Sequence, residues 1–117
     1  MRNKLIFLSE LLTPACEVHE ELRKLLGKTG TANARIAHAT IGLNLAIFQG
    51  ILTAETMDWE KISRSAAEFR RQCEIIADEA GEGGISRMIY ELRRAIAPFF
   101  IALEGASGGR FITPKNN

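Results

Sequence analysis

Every apolar run in this chain has helical spacing. The sharpest is Ile62, Ala66, Phe69, Cys73, Ile76 and Ala80, with steps of 4, 3, 4, 3 and 4. Those steps put the side chains on one stripe of a helix. The opposite face carries Glu60, Lys61, Arg64, Glu68, Arg70, Arg71, Glu74 and Asp78. Such a helix is stable only when its stripe is buried against other helices. The pattern therefore predicts an all-α fold.

The remaining elements follow from the same spacing. Residues 4–26 form a first helical region, with Leu8, Leu11, Ala15, Val18, Leu22 and Leu25 in phase. Thr13-Pro14 interrupts it, because Thr is a good N-cap and Pro fits the first helical turn. The region reads as two helices, 4–12 and 14–26, or as one kinked helix. Gly27-Lys28-Thr29-Gly30 breaks the chain, with Gly27 placed to cap the helix end. The second region, Thr31 to about Leu52, is apolar on most sides, with Ile36, Ile41, Leu43, Leu45, Ile47, Phe48, Ile51 and Leu52. Small residues Ala32, Ala39, Gly42, Ala46 and Gly50 are threaded through it. A helix of this kind is the centre of a bundle or a dimer seam. A third helix covers 58–80 and stops at Gly81-Glu82-Gly83-Gly84. The fourth starts near Ile85, turns Met88, Ile89, Leu92, Ile96, Phe99, Phe100 and Leu103 inward, and is expected to kink or restart at Pro98. The expected organisation is a single-domain bundle of four main helices over 1–105, with a short extra N-terminal helix as an option. Residues 106–117, rich in Gly and ending in Thr-Pro-Lys-Asn-Asn, read as a flexible tail.

Composition changes this picture little. A chain of 117 residues with 46% hydrophobic residues builds one core without help from disulfides or metal. Cys16 and Cys73 both fall on apolar stripes and read as buried, reduced thiols. Fifteen basic residues against 14 acidic ones leave a net charge of +1, which gives no bulk attraction to nucleic acid or to an acidic membrane. The longest apolar stretch, Ile36 to Leu52, contains His38, Asn44 and Gln49, which argues against a membrane span. The N-terminal apolar run is broken by Ser9 and Glu10, with no clean cleavage site after it. A soluble cytoplasmic protein is expected.

Candidate chemistry is sparse. Gly27-Lys28-Thr29 resembles the end of a phosphate-binding loop, but position 22 is Leu where that loop needs Gly. Glu17, His19, Glu20 and Glu21 crowd one helix, yet neither His19 nor His38 has the Glu three residues earlier that a di-iron bundle uses. No metal and no cofactor are expected. Arg70, Arg71, Arg87, Arg93 and Arg94 can line one side of the bundle around Tyr90, paired with Glu68, Glu74 and Glu91. A nucleic-acid accessory role wants a larger positive balance or interleaved aromatics, so it stands as a second alternative.

The string Arg35-Ile36-Ala37-His38-Ala39-Thr40-Ile41-Gly42 resembles part of the active helix of histidine phosphotransfer domains, which are four-helix bundles of about this length. Ala37, His38 and Gly42 match that motif. Thr40 stands where the family has Leu, and Ile41 where it has the Lys that offsets the phosphoryl charge. The resemblance implies a phosphorelay carrier using His38, with Gly42 leaving room for the partner and Arg35 as the nearest cation. A second register, Asp58 to Arg70, places Ala67 at the phosphorylated position and implies an inactive relative that only binds. Against both stands His38 as a buried or hydrogen-bonded polar group inside the bundle, with no cation aimed at its distal nitrogen. The leading expectation is a small non-enzymatic regulatory or adaptor protein that binds another protein, as an inhibitor or antagonist, and forms a homodimer. Bacterial and phage-encoded antagonists of larger machines are often of this size, an analogy of size alone. Ile41, Leu45, Phe48, Phe99, Phe100, Arg93 and Arg94 are the expected partner-binding residues, because the second and fourth helices hold more apolar positions than one inward stripe needs.

Overall fold

The computed structural model describes residues 8–54, 56–80 and 83–114. Four long helices make up the fold among the described residues: α1 Thr13–Thr29, α2 Ala32–Leu52, α3 Trp59–Ala80 and α4 Gly84–Ser107. They pack as a ring in which α1 touches α2 and α4, and α3 touches α2 and α4. With short links between them, neighbours run antiparallel, the arrangement of an up-and-down four-helix bundle. There is no strand among the described residues.

Local chemistry sets the boundaries. A helical turn at 8–10 precedes α1, and the chain turns at 11–12. The N-terminal region thus divides in two, although residues 1–7 lie outside the described residues. Leu12 rather than Thr13 is the N-cap of α1, and no side chain caps it. Pro14 sits in the first turn, where its missing N–H costs no intrahelical bond. Gly27 does not end α1 as expected. The helix runs through it, and Gly30 ends it in an extended conformation with its N–H on Leu26 O. A Cβ at Gly30 would stand 2.7 Å from that oxygen, so the close approach needs glycine. Thr31 then caps α2, its hydroxyl accepting from Ala34 N at 3.1 Å. Asp58 caps α3 by accepting from Lys61 N at 2.9 Å. Pro98 does not restart α4, which continues to Ser107 and ends at Gly108 in the left-handed region, φ 62°.

The core of α3 follows the predicted stripe, whereas in the N-terminal region Leu12 and Leu26 are fully buried and the expected Leu11, Val18 and Leu25 are half-buried. Ile62, Ala66, Phe69, Cys73 and Ile76 of α3 are all buried. Phe48, Phe69, Phe99 and Phe100 form a central aromatic cluster with ring centroids 5.5–6.2 Å apart, in tilted and edge-on contacts. Phe111 joins it at 5.9 Å from Phe100 and is buried. This corrects the expectation of a flexible tail from 106. Arg110 Nε donates to Ser107 O at 2.9 Å, and Ile112 N donates to Ser63 Oγ at 3.1 Å, which straps the segment onto α3. Residues 115–117 lie outside the described residues. Both cysteines are free thiols. Burial pushes the Cys73 thiol up to about 12, and burial with Glu17 nearby raises Cys16.

Candidate protein-binding surface

The structure removes most of the expected partner-binding residues from the surface. Ile41, Leu45, Phe48, Phe99 and Phe100 are all buried within the single chain. Their side chains fill the space between the helices, so none is available to a partner. The reason lies in α2, whose apolar residues divide between two faces rather than forming one broad one. Arg94 is exposed and lies over the Tyr90 ring at 5.7 Å. Arg93 is half-buried.

Large apolar side chains are exposed at Ile36 and Leu43 on α2, at Tyr90 and Ile101 on α4 and at Ile112 in the C-terminal strap, and the pair on α2 lies on its outer face. The inner face buries Ala34, Ala37, Ile41, Leu45, Phe48 and Ile51. The outer face carries Ala32, Ile36, Ala39, Leu43, Ala46 and Gly50, with steps of 4, 3, 4, 3 and 4, and every one is exposed. Ile36 and Leu43 are each 65% exposed. The outer positions therefore form a second heptad seam opposite the core stripe. Arg35 is the only charged residue in α2. Asn33 marks the edge facing α3, where its amide donates to Glu79 Oε1 at 3.1 Å. Arg35, Gly42 and Gln49 mark the edge facing α1. Gln49 shares a surface groove there with Thr13, Cys16, Glu17, Glu20 and Glu21.

Beneath that edge lies a histidine pair. The rings of His19 and His38 stack with centroids 3.8 Å apart and planes 4° from parallel. His19 Nε2 lies 2.9 Å from His38 O, and His38 Nε2 lies 2.8 Å from His19 O. A carbonyl only accepts, so each Nε2 carries the proton and donates. Burial lowers the His38 pKa, outweighing its bond to His19 O. Gly42 makes room for the pair, since a Cβ there would stand 3.2 Å from His19 Cε1. Arg35 does not face the His38 ring but donates to Gly30 O at 3.1 Å. The three residues of the phosphotransfer resemblance are thus close in the fold but differently employed. His38 is buried, its distal nitrogen is bonded, and the space beside Gly42 holds His19. The sequence presents His19 only as a candidate metal ligand and not as the partner of His38, because a spacing of 19 residues carries no local signal.

A second surface lies between α3 and the C-terminal strap. Trp59, Ser63, Arg64, Arg70, Arg110 and Ile112 line a groove of about 860 Å³. Arg110 lies over the Trp59 ring at 5.6 Å. Arg70 makes an ion pair with Glu74 at 3.2 Å, yet its buried Nε and Nη2 have no well-directed hydrogen-bond acceptor. Arg71 and Arg64 pair with Glu68 and Glu60 at 3.5 and 2.8 Å. Gly27-Lys28-Thr29 lies in the last turn of α1 rather than in a loop. No group of His, Cys, Asp and Glu among the described residues is arranged to hold a metal ion. No described helix is long and apolar enough to cross a membrane. No protein-family model, curated protein or solved structure matches this chain.

Proposed function

We propose that this chain is a non-enzymatic regulatory or adaptor protein that acts by binding protein through the outer face of α2. The observation that carries this reading is the exposure of Ile36 and Leu43, 65% each, on a seam of otherwise small residues. Burying one such side chain is worth about 1.5–3 kcal/mol. A folded helix that instead turns two of them and four small residues toward water has a surface suited to a second helix. The seam lacks charged side chains, and its Ala and Gly positions permit close approach of another backbone. The test is a pull-down from the source cell with wild type and with the Ile36→Glu/Leu43→Glu double variant. A partner held by wild type and lost by the folded variant supports the reading. A partner held equally by both contradicts it.

A nucleic-acid or other anionic partner in the Arg64–Arg70–Arg110 groove is a second reading, supported by the flanking Trp59 ring. Its test is Arg64→Glu/Arg110→Glu, which abolishes polyanion binding if that groove is the site. Phosphorelay through His38 has less support, because its distal nitrogen is bonded to His19 O. Transfer from a phosphorylated receiver domain that disappears in His38→Gln would reverse that judgement.

A further inference from the structure

Resting on the reading above, we infer that the occupant of the outer face of α2 is a second copy of this chain, packed antiparallel about a two-fold axis level with Ile41. The seam is complementary to itself in that arrangement. Large and small residues alternate along it: Ala32, Ile36, Ala39, Leu43, Ala46 and Gly50. Reversed upon itself, it sets Ile36 against Ala46 and Leu43 against Ala39, with Ala32 against Gly50. The numbers of each facing pair sum to 82. Each large side chain then enters a gap left by a small one, the condition for knobs to enter holes at close helix separation. A parallel pair in register puts Ile36 on Ile36 and Leu43 on Leu43, with Ala on Ala between them. That alternation crowds two levels and leaves voids at the rest.

Charge selects the same arrangement. Arg35 lies on the α1 edge of the seam, seven residues before Gly42 and fourteen before Gln49. Antiparallel packing brings this edge against the same edge of the second copy, so that Arg35 meets Gln49. Beside Gln49, in the groove it shares with α1, stands Glu17. Glu17 is exposed and has no ion pair among the described residues, whereas Glu20 and Glu21 are held by Arg23 and Lys24. Arg35 makes a single bond to Gly30 O among the described residues and keeps donors for a carboxylate. Two-fold symmetry forms the Arg35–Glu17 pair twice, once at each end of the seam. Between residues 32 and 50 the seam is roughly 27 Å long, long enough to hold both pairs apart at its ends.

Cysteine cross-linking tests the register directly. In a Cys16→Ser background, Ala39→Cys and Leu43→Cys proteins are oxidised separately and as a mixture. The antiparallel dimer predicts a mixed disulfide between the two variants and little dimer from either alone. Disulfides within each single variant, with none favoured in the mixture, overturn the register. The same mixture then carries charge reversals. Arg35→Glu on both chains, or Glu17→Arg on both, lowers the cross-link yield about threefold, and the two together restore it. No restoration refutes the ion pair. No cross-link in any combination refutes the second copy as occupant. Loss of a pulled-down partner by Ile36→Glu/Leu43→Glu would still stand in that case, and with it the protein-binding reading.

Discussion

At the contact of α1 and α2, two imidazoles stack at 3.8 Å, each donating to the backbone carbonyl of the other. A charge on His38 stands against the His19 ring and near Arg23, with Glu20 offsetting part of it. The His38 pKa lies below its ordinary value of 6.5, chiefly through burial. Its contribution to stability is therefore whole above that value and is lost as pH falls through the lower folded value. Urea unfolding at pH 7.5 and 5.5 checks this: wild type loses stability on acidification, and His38→Gln loses less. A steeper loss in the variant would show that the pair is not the acid-sensitive contact. A second buried polar group, Asn44, has an amide nitrogen without a hydrogen-bond partner. An unsatisfied buried donor costs about 1–3 kcal/mol, so Asn44→Leu, close in shape, raises stability by about 1 kcal/mol in the same assay. The burial of His38 was legible from Ile41 in place of a cation. Its partner was not, because contact between residues 19 apart exists only once two helices have chosen their faces.

The helices themselves were legible from period alone, and α3 is the clearest case. One clean stripe of Ile62, Ala66, Phe69, Cys73 and Ile76 opposite charge leaves a single way to bury it. In α2 the count of apolar residues gave the surplus but not its side. Two heptad stripes, offset around one helix, look like one broad face until the bundle takes one of them. Ile41, Leu45 and Phe48 therefore belong to the inner stripe, while Ile36 and Leu43 form the exposed seam. The strap after α4 is illegible in the sequence for a different reason. Its glycines signal a loop, but Phe111 supplies an anchor that no periodicity announces. Phe111→Ala removes a ring packed on Phe100 and lowers stability by about 3 kcal/mol, the low end for a buried Phe because a terminal segment relaxes. Chemical denaturation measures that loss, and a change under about 1 kcal/mol would mean that the strap does not hold to the bundle.

On the scale of the whole molecule, the bundle satisfies its own core and leaves the apolar outer face of α2 exposed. Five phenylalanines close the centre within a single chain. The stripe of Ala32, Ile36, Ala39, Leu43, Ala46 and Gly50 adds nothing to that core, yet it keeps heptad spacing. An apolar stripe with that spacing is suited to packing against another helix. Sedimentation equilibrium over about 1–100 µM tests this most directly, because self-association follows mass action. Wild type is expected to pass from 12.9 kDa to twice that mass as concentration rises, and Leu43→Glu to stay at 12.9 kDa throughout while keeping its helical signal. A wild-type chain that stays at 12.9 kDa over the whole range, or a Leu43→Glu variant that associates as wild type does, would contradict the account.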